Sequence, residues 1–219
     1  LYTTPLVEFN YDQTRSKTNG YGLHYRHLSS NGGISGRGPS DYSFNTIDGY
    51  YTAYLRQHTV QGRVAYDRRR IAYYGYPSTD SLENRMLTAI TREQVYNDIG
   101  FDLRVKSLFK DSTKLAHDAG LRVDNYTNLS GSRELNVVLD AQLSMQQGNE
   151  TFGGEVLIDN NAYRGVRDTL ADLRQSGTMV GLSPHVSTTD GKYLVRIGAG
   201  IFVDAQGESS FHFYPQAYA

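Results

Sequence analysis

The chain has 219 residues, with 22 Lys or Arg against 23 Asp or Glu, a formal net charge of −1, and no Cys or Trp. The balanced charge gives no general electrostatic reason to expect nucleic acid as a partner, and the lack of Cys excludes a disulfide scaffold and any cysteine metal site. The mean hydropathy is −0.53, and no window approaches the roughly 18 consecutive apolar residues of a membrane helix. This argues against a helical membrane protein but not against a β-barrel, because the strands of a barrel hide apolar residues by alternation.

Alternating apolar and polar residues recur along the whole chain. This pattern predicts strands, because successive side chains of a strand point to opposite faces. In the segment 134–146, every second residue from Leu135 to Met145 is apolar and most of the residues between them are polar. The predicted strands lie near 5–14, 20–28, 43–56, 59–75, 94–107, 114–126, 134–146, 151–162, 178–188 and 192–205, and an eleventh begins at Ser210.

The links between the predicted strands alternate in length. Short links such as RSKTN, RQHT and FKDST are followed by longer ones such as SSNGGISGRGPSD and NAYRGVRDTLADLRQSG. Two windows, 82–95 and 164–175, have helix-like spacing and are assigned to the long links. Alternation of tight turns with long loops is typical of outer-membrane barrels. Soluble barrels and β-sandwiches lack this regular asymmetry.

These patterns predict an all-β, antiparallel transmembrane β-barrel that forms a single domain over residues 1–219. Its apolar face would meet lipid, and its charged face would line a hydrated lumen. If the short turns are periplasmic, the first strand runs away from the cell surface, which bacterial barrels with an even strand number do not do. The sequence therefore predicts that these eleven strands are an inner segment of a longer barrel.

The hairpin of strands 94–107 and 114–126 carries the densest charge. We expect its polar face to hold a charge ladder, because opposite charges across a strand pair stabilise it. A stagger of one residue pair would place Arg104 against Asp118 and Asp102 against Arg122. The predicted ladder comprises Asp98, Asp102, Arg104, Lys106, Asp118, Arg122 and Asp124, and we expect its role to be structural.

The motif AYDRRRIAYYGY at 65–76 permits two interpretations. Alternation from Val60 places Arg68 and Arg70 on the lipid face near the upper membrane boundary, where guanidinium groups suit the phosphates of lipopolysaccharide. Alternatively, a β-bulge near Asp67 reverses the register and turns both arginines inward. The sequence does not decide between the two.

Few residues suggest chemistry. His24 and Arg26 share the polar face of the second strand, and the glycines of GGISGRG (32–38) do not match a phosphate loop. His27 with Ser29 or Ser30 hints at an outer-membrane lipase or deacylase, but the sequence identifies no third partner. We therefore expect no catalytic residues, no metal site and no cofactor.

Two segments carry a family resemblance. PLVEFNYDQTRSKTNGYGLHYRHLSSNGGI (5–34) and SSFHFYPQAYA (209–219) resemble a group of Bacteroidota outer-membrane β-barrel proteins that are similar to TonB-dependent receptors. The resemblance implies the outer membrane of a Gram-negative bacterium, with lipid and lipopolysaccharide as surroundings and no catalytic residues. No TonB box or plug domain is recognisable, so active TonB-dependent transport is not expected.

Three functions are compatible with these features. We expect first a structural or accessory component of a membrane protein complex, whose long loops contact other outer-membrane or surface proteins. The alternative is a passive, porin-like channel for small polar solutes. An enzyme within the barrel ranks third.

Overall fold

The computed structural model describes residues 3–32, 40–72, 93–167, 171–190, 193–206 and 209–219. All regular structure in these segments is β-strand. The eleven strands are β1 (Leu6–Gln13), β2 (Asn19–Ser30), β3 (Tyr42–Tyr54), β4 (His58–Ala72), β5 (Glu93–Ser107), β6 (Ala116–Asn128), β7 (Arg133–Gln147), β8 (Glu150–Arg167), β9 (Ala171–Thr189), β10 (Leu194–Asp204) and β11 (Ser210–Tyr218). The described segments contain no helix long and apolar enough to cross a bilayer.

The strands form one antiparallel sheet in the order of the chain, from β1 to β11. Each strand pairs with the strands before and after it, and in the described part of the chain no pairing joins β1 to β11. The prediction of eleven antiparallel strands is therefore confirmed, and the sheet is open. We call the end with the links at 14–18, 55–57, 108–115, 148–149 and 190–193 the turn end, and the opposite end the link end.

Two of the turns show why the chain reverses where it does. In the two-residue link between β7 and β8, Gly148 has φ 64°, a left-handed conformation that favours glycine. In the link between β5 and β6, Asp111 Oδ1 accepts hydrogen bonds from Thr113 N (3.0 Å) and Thr113 Oγ1 (2.6 Å). These bonds, with Lys114 nearby, lower the pKa of the Asp111 carboxyl. The turn thus depends on local polar contacts.

One link differs from the prediction. The window 164–175 was expected to be helix-like and to lie in a long loop, but Arg164–Arg167 belongs to β8 and Ala171–Gln175 to β9. Residue pairs such as Arg164↔Arg174 and Arg167↔Ala171 continue the β8–β9 ladder, so only residues 168–170 connect the strands. Strand pairing here overrides the local helical spacing. Of the window 82–95, residues 93–95 lie in β5 and the rest falls outside the described residues.

The register separates the side chains into two faces. The apolar face carries Val60 and Val64 of β4, the row from Ile99 to Val105 of β5, and the row from Leu135 to Met145 of β7. The polar face carries the side chains between them. Toward the link end the apolar face becomes polar, and it there carries His27, Ser29, Ser43, Asn45, Arg68, Arg70, Asn97, Asn125, Arg133, Asn160, Arg164, Arg174, Ser176 and Thr178.

The apolar face is uncovered. Leu139 is 41% exposed, Ile197 59% and Phe211 66%, and among the described residues the only buried apolar side chains are Ala72 and Val138. No second layer from the described segments packs on the sheet. A contiguous apolar surface of this extent is rare on a soluble monomer and marks a surface that meets something apolar.

Candidate functional site

Three polar side chains meet on the apolar face at the link end. His27 and Ser29 are two residues apart on β2, so they point to the same side of the sheet. On the neighbouring strand, Asn45 pairs directly with His27, and Ser43 pairs with Ser29. The pairing of β2 with β3 therefore brings together residues that the 31–41 link separates in sequence.

The three side chains form a hydrogen-bonded chain. His27 Nδ1 lies 2.7 Å from Asn45 Oδ1, and His27 Nε2 lies 3.0 Å from Ser29 Oγ. Asn45 Nδ2 in turn donates to Ser43 Oγ at 3.1 Å. These three side chains and Ser43 are partly buried.

This arrangement sets the tautomer of the imidazole. An amide oxygen only accepts hydrogen bonds, so His27 Nδ1 must carry the proton that Asn45 Oδ1 receives. His27 Nε2 is then free to accept the hydroxyl proton of Ser29. A serine bonded to an imidazole, which a third side chain orients through its other nitrogen, is the arrangement of a nucleophilic triad.

The sequence suggested either Ser29 or Ser30 as a partner of His27. The structure places these two serines on opposite faces of β2. Ser30 lies on the polar face, is 9% exposed, and accepts a hydrogen bond from Thr4 Oγ1 at 3.4 Å. Ser29 alone faces the imidazole. Asn45 is the partner that sequence reasoning missed.

Arg68 and Arg70 lie on the same face, next to this group. The β3–β4 register runs through Asp67 without a break, and it pairs Arg68 with Asn45 and Arg70 with Ser43. The β-bulge interpretation is therefore wrong, and both arginines lie on the face that carries Val60 and Val64. Arg70 is held by Asp41 (2.7 Å) and Glu93 (2.6 Å), whereas Arg68 forms no ion pair with the described residues.

The charge ladder on the polar face is present in part. Arg104 Nε lies 2.6 Å from Asp118 Oδ1 and Arg104 Nη2 lies 3.4 Å from Asp140 Oδ2, so the predicted Arg104–Asp118 pair forms. Lys106 Nζ adds a longer contact of 3.7 Å to Asp118. Arg104 reaches Asp118 diagonally, because the residue directly opposite it is Gly120.

The second predicted pair does not form. Asp102 and Arg122 are directly opposite in the register, but the Arg122 guanidinium turns along its own strand to Asp124, at 3.2 Å. Asp98 lies opposite Asp67 on β4. These side chains all share the polar face, as predicted, but three contacts between strands and one contact within β6 replace the expected regular ladder.

A second network covers the polar face of the first four strands. His24 contacts Asp48 (3.0 Å) and Glu8 (3.5 Å), and Asp48 also contacts Arg63 (3.2 Å). Nearby, Tyr50 Oη donates to Asp12 Oδ1 at 2.8 Å across Gly22, where an added Cβ would collide with both side chains. His24 thus belongs to a hydrogen-bonded network with Asp48. No cluster of three or more His, Asp or Glu side chains among the described residues is arranged to hold a metal ion.

The sequence matches no protein-family model, and no curated protein is significantly similar to it.

Double-mutant cycles test the polar-face contacts. We expect Arg104→Gln with Asp118→Asn to give a coupling energy of about 0.5–1 kcal/mol, because both side chains are partly exposed to solvent. Arg104→Gln with Asp140→Asn should give less, since that contact is longer. The control cycle, Arg122→Gln with Asp102→Asn, should give a coupling near zero. The free energy of unfolding in urea is the measurement, and equal couplings in all three cycles would contradict the described geometry.

Proposed function

We propose that the sheet is the wall of an outer-membrane β-barrel. The uncovered apolar face supports lipid as its surroundings, and the ion-paired polar face supports a hydrated interior. The central strands of the sheet, such as β5 and β7 with 15 residues each, exceed the roughly 9–11 residues that a tilted strand needs to cross the membrane. In lipid, open sheet edges are not tolerated, so β1 and β11 pair with each other or with further strands.

We further propose that this barrel is a serine hydrolase. The observation that carries the proposal is the pair of distances from His27, 3.0 Å to Ser29 Oγ and 2.7 Å to Asn45 Oδ1. The sequence alone ranked a barrel enzyme third because it identified no third partner, and Asn45 supplies that partner. A role as a structural or accessory component is compatible with the same barrel, but no group of described residues points to that role in particular.

The geometry supports the following reaction. Ser29 Oγ attacks the carbonyl carbon of an ester, and its proton passes to His27 Nε2. The tetrahedral intermediate collapses, the alcohol leaves with that proton, and the acyl group stays on Ser29. Water then attacks the acyl-enzyme and gives a proton to His27, and the carboxylic acid is released as Ser29 regains its hydrogen. Asn45 holds Nδ1–H throughout and keeps the imidazole in position.

The position of the triad supports an acyl ester of a membrane lipid as the substrate. Ser29 lies on the apolar face, at the point where the apolar side chains of β2 and β3 give way to polar ones. In a bilayer, this boundary is where ester groups lie between acyl chains and headgroups. Arg68 lies on β4 opposite Asn45 and forms no ion pair among the described residues. It is placed to bind an anionic lipid headgroup, and we propose that it also contacts lipopolysaccharide.

A second candidate function, a channel for small polar solutes, is favoured by the charge of the polar face. Carboxylates outnumber basic side chains there, which would make such a path prefer cations. The carboxylates are Glu8, Asp12, Asp48, Asp67, Asp98, Asp102, Asp118, Asp124, Glu134, Asp140, Glu155, Asp159 and Asp204, and the basic side chains are Arg26, Arg63, Arg69, Arg104, Lys106, Arg122 and Arg196.

Substitution of the nucleophile tests the hydrolase. Ser29→Ala should lower kcat/KM on a p-nitrophenyl acyl ester in detergent micelles by at least about 10³-fold, and Asn45→Ala by up to about 10⁴-fold. A fluorophosphonate probe should label Ser29 of the wild-type protein, as read by mass spectrometry. The matched control is Ser30→Ala, which lies on the other face and should retain both activity and labelling. Activity that survives in Ser29→Ala would overturn the proposal.

Two substitutions to arginine test whether lipid contacts one face of the sheet and water the other. In liposomes, Leu139→Arg places a charge in the middle of the apolar face of β7 and should lower the free energy of unfolding by about 2–4 kcal/mol. Gln142→Arg introduces the same side chain on the polar face of β7, between Asp118 and Glu155 of the neighbouring strands. It should change stability little. Equal losses in both variants would remove the argument for lipid on one face only.

Conductance across planar bilayers tests the second candidate. A channel should give steady openings whose reversal potential in a KCl gradient has the sign of cation selectivity, because the polar face is acidic. Wild-type and Ser29→Ala protein should behave alike in this measurement, since Ser29 lies on the opposite face. Absence of steady conductance in correctly inserted protein would exclude the channel and leave the hydrolase unaffected.

A further inference from the structure

Four aromatic side chains gather on the polar face where β10 meets β11. The Tyr214 ring lies 6.0 Å from the Phe202 ring at an angle of 64°, and 6.2 Å from the His212 ring at 16°, with distances measured between centroids. Tyr218 follows on the same face four residues further along β11, or about 13 Å away. We call Phe202, His212, Tyr214 and Tyr218 the aromatic strip.

The Phe202 ring lies flat against the sheet. Gly181 is directly opposite Phe202 on β9, and Gly200 is the preceding residue on the same face of β10. An added Cβ at either glycine would collide with the ring. The ring therefore covers the backbone at both glycines and turns its free face away from the sheet. Beside it, the Tyr214 side chain is about half exposed, as is Tyr218.

The position of these rings on the polar face is informative. On the apolar face of β11, exposed rings such as Phe211 and Phe213 meet the proposed membrane. The aromatic strip would instead meet water, and no described segment packs over it. Pairing of the free edge of β11 in the proposed barrel uses its backbone and leaves the strip facing the interior. A contiguous aromatic surface of this kind marks a place where a ligand binds.

The aromatic strip also lacks the charges of the surrounding wall. Between Arg196 and Asp204, the described positions on the polar face of β10 and β11 hold no Lys, Arg, Asp or Glu. On the strands further from this edge, the same face is rich in charged side chains, such as Arg104 with Asp118. A neutral solute therefore suits the strip, whereas a charged solute suits other parts of the wall.

Hydrogen-bonding groups border the rings. Gln216 lies between Tyr214 and Tyr218 on β11, with its amide beside Gly200. The Arg196 guanidinium lies over the Tyr218 ring, 6.0 Å from its centroid, and Arg196 Nη1 donates to Tyr218 Oη at 3.4 Å. The planar amide and guanidinium groups offer several hydrogen-bonding atoms in fixed directions, which suits a ligand with neighbouring hydroxyl groups.

We propose that the aromatic strip binds a neutral, linear oligosaccharide. A sugar ring carries C–H groups on its faces and hydroxyl groups at its edge, so it stacks on an aromatic ring while its hydroxyls reach Gln216 and Arg196. The six residues from His212 to Tyr218 span about 20 Å along β11, which is enough for several sugar units in a row. The inference rests on the proposed barrel and names the solute of the candidate channel, and it is independent of the hydrolase.

Isothermal titration calorimetry of the full chain, in a detergent without a sugar headgroup such as lauryldimethylamine oxide, tests the proposal. Maltohexaose and cellohexaose are titrated separately, and at least one of them should bind the wild-type protein. Tyr214→Ala should bind that sugar at least about fivefold more weakly, whereas Tyr214→Phe keeps the ring and should retain most of the affinity. The control Phe213→Ala removes a ring from the opposite face of the same strand and should bind like wild type.

No binding of either sugar, unchanged affinity in Tyr214→Ala, or equal binding of the charged hexagalacturonate would overturn the assignment. Circular dichroism shows whether each variant retains the β-sheet, and Phe202→Ala should give an independent loss of affinity in the same direction. Conductance across planar bilayers is measured with the same proteins. Sugar binding without conductance would refute the channel alone, and conductance without strip-dependent sugar binding would refute the aromatic strip alone.

Discussion

The structure depends on one constraint, the unbroken antiparallel register of its strands. Each strand pairs residue by residue with its neighbours, and because side chains alternate with a period of two, a slip of one residue would move every side chain of a strand to the other face. The register keeps the apolar rows together, gathers the carboxylates and arginines on the opposite face, and sets Asn45 beside His27. A slip at β3 alone would bring Thr46 or Phe44 toward the imidazole and would separate the triad.

Alternation within each strand could be read from the sequence, and for that reason strand number, strand type and the two faces were predictable. Relations between strands were not. Alternation already placed His27, Ser29 and Asn45 on one face, but the link of residues 31–41 hides which residue of β3 stands opposite His27. The same limit affected the hairpin of β5 and β6. There the residue facing Arg104 is Gly120. Arg122 contacts Asp124 rather than Asp102 because of the rotation of its side chain, which the pattern of residues does not predict.

The helical spacing of apolar residues gave a wrong prediction at one place, again because it ignores pairing between strands. The window 164–175 has apolar residues at helical intervals, yet it continues the ladder between β8 and β9. A short helix gains little by itself in water, whereas each additional strand pair extends hydrogen bonds that the sheet already aligns. The extension also brings Arg164 and Arg174 opposite each other on β8 and β9.

In the proposed barrel, the position of Ser29 on the apolar face has a kinetic consequence. A nucleophile inside a lumen would receive substrate from water, at a rate set by bulk concentration. A nucleophile on the outer wall of the proposed barrel receives substrate by lateral diffusion in the leaflet, so its rate follows the surface mole fraction of the cleavable lipid. Inert lipid or detergent would then slow hydrolysis by dilution in two dimensions, without competing for the site. A leaflet poor in substrate would keep the proposed hydrolase inactive while it remains fully folded, and a change in leaflet composition would activate it.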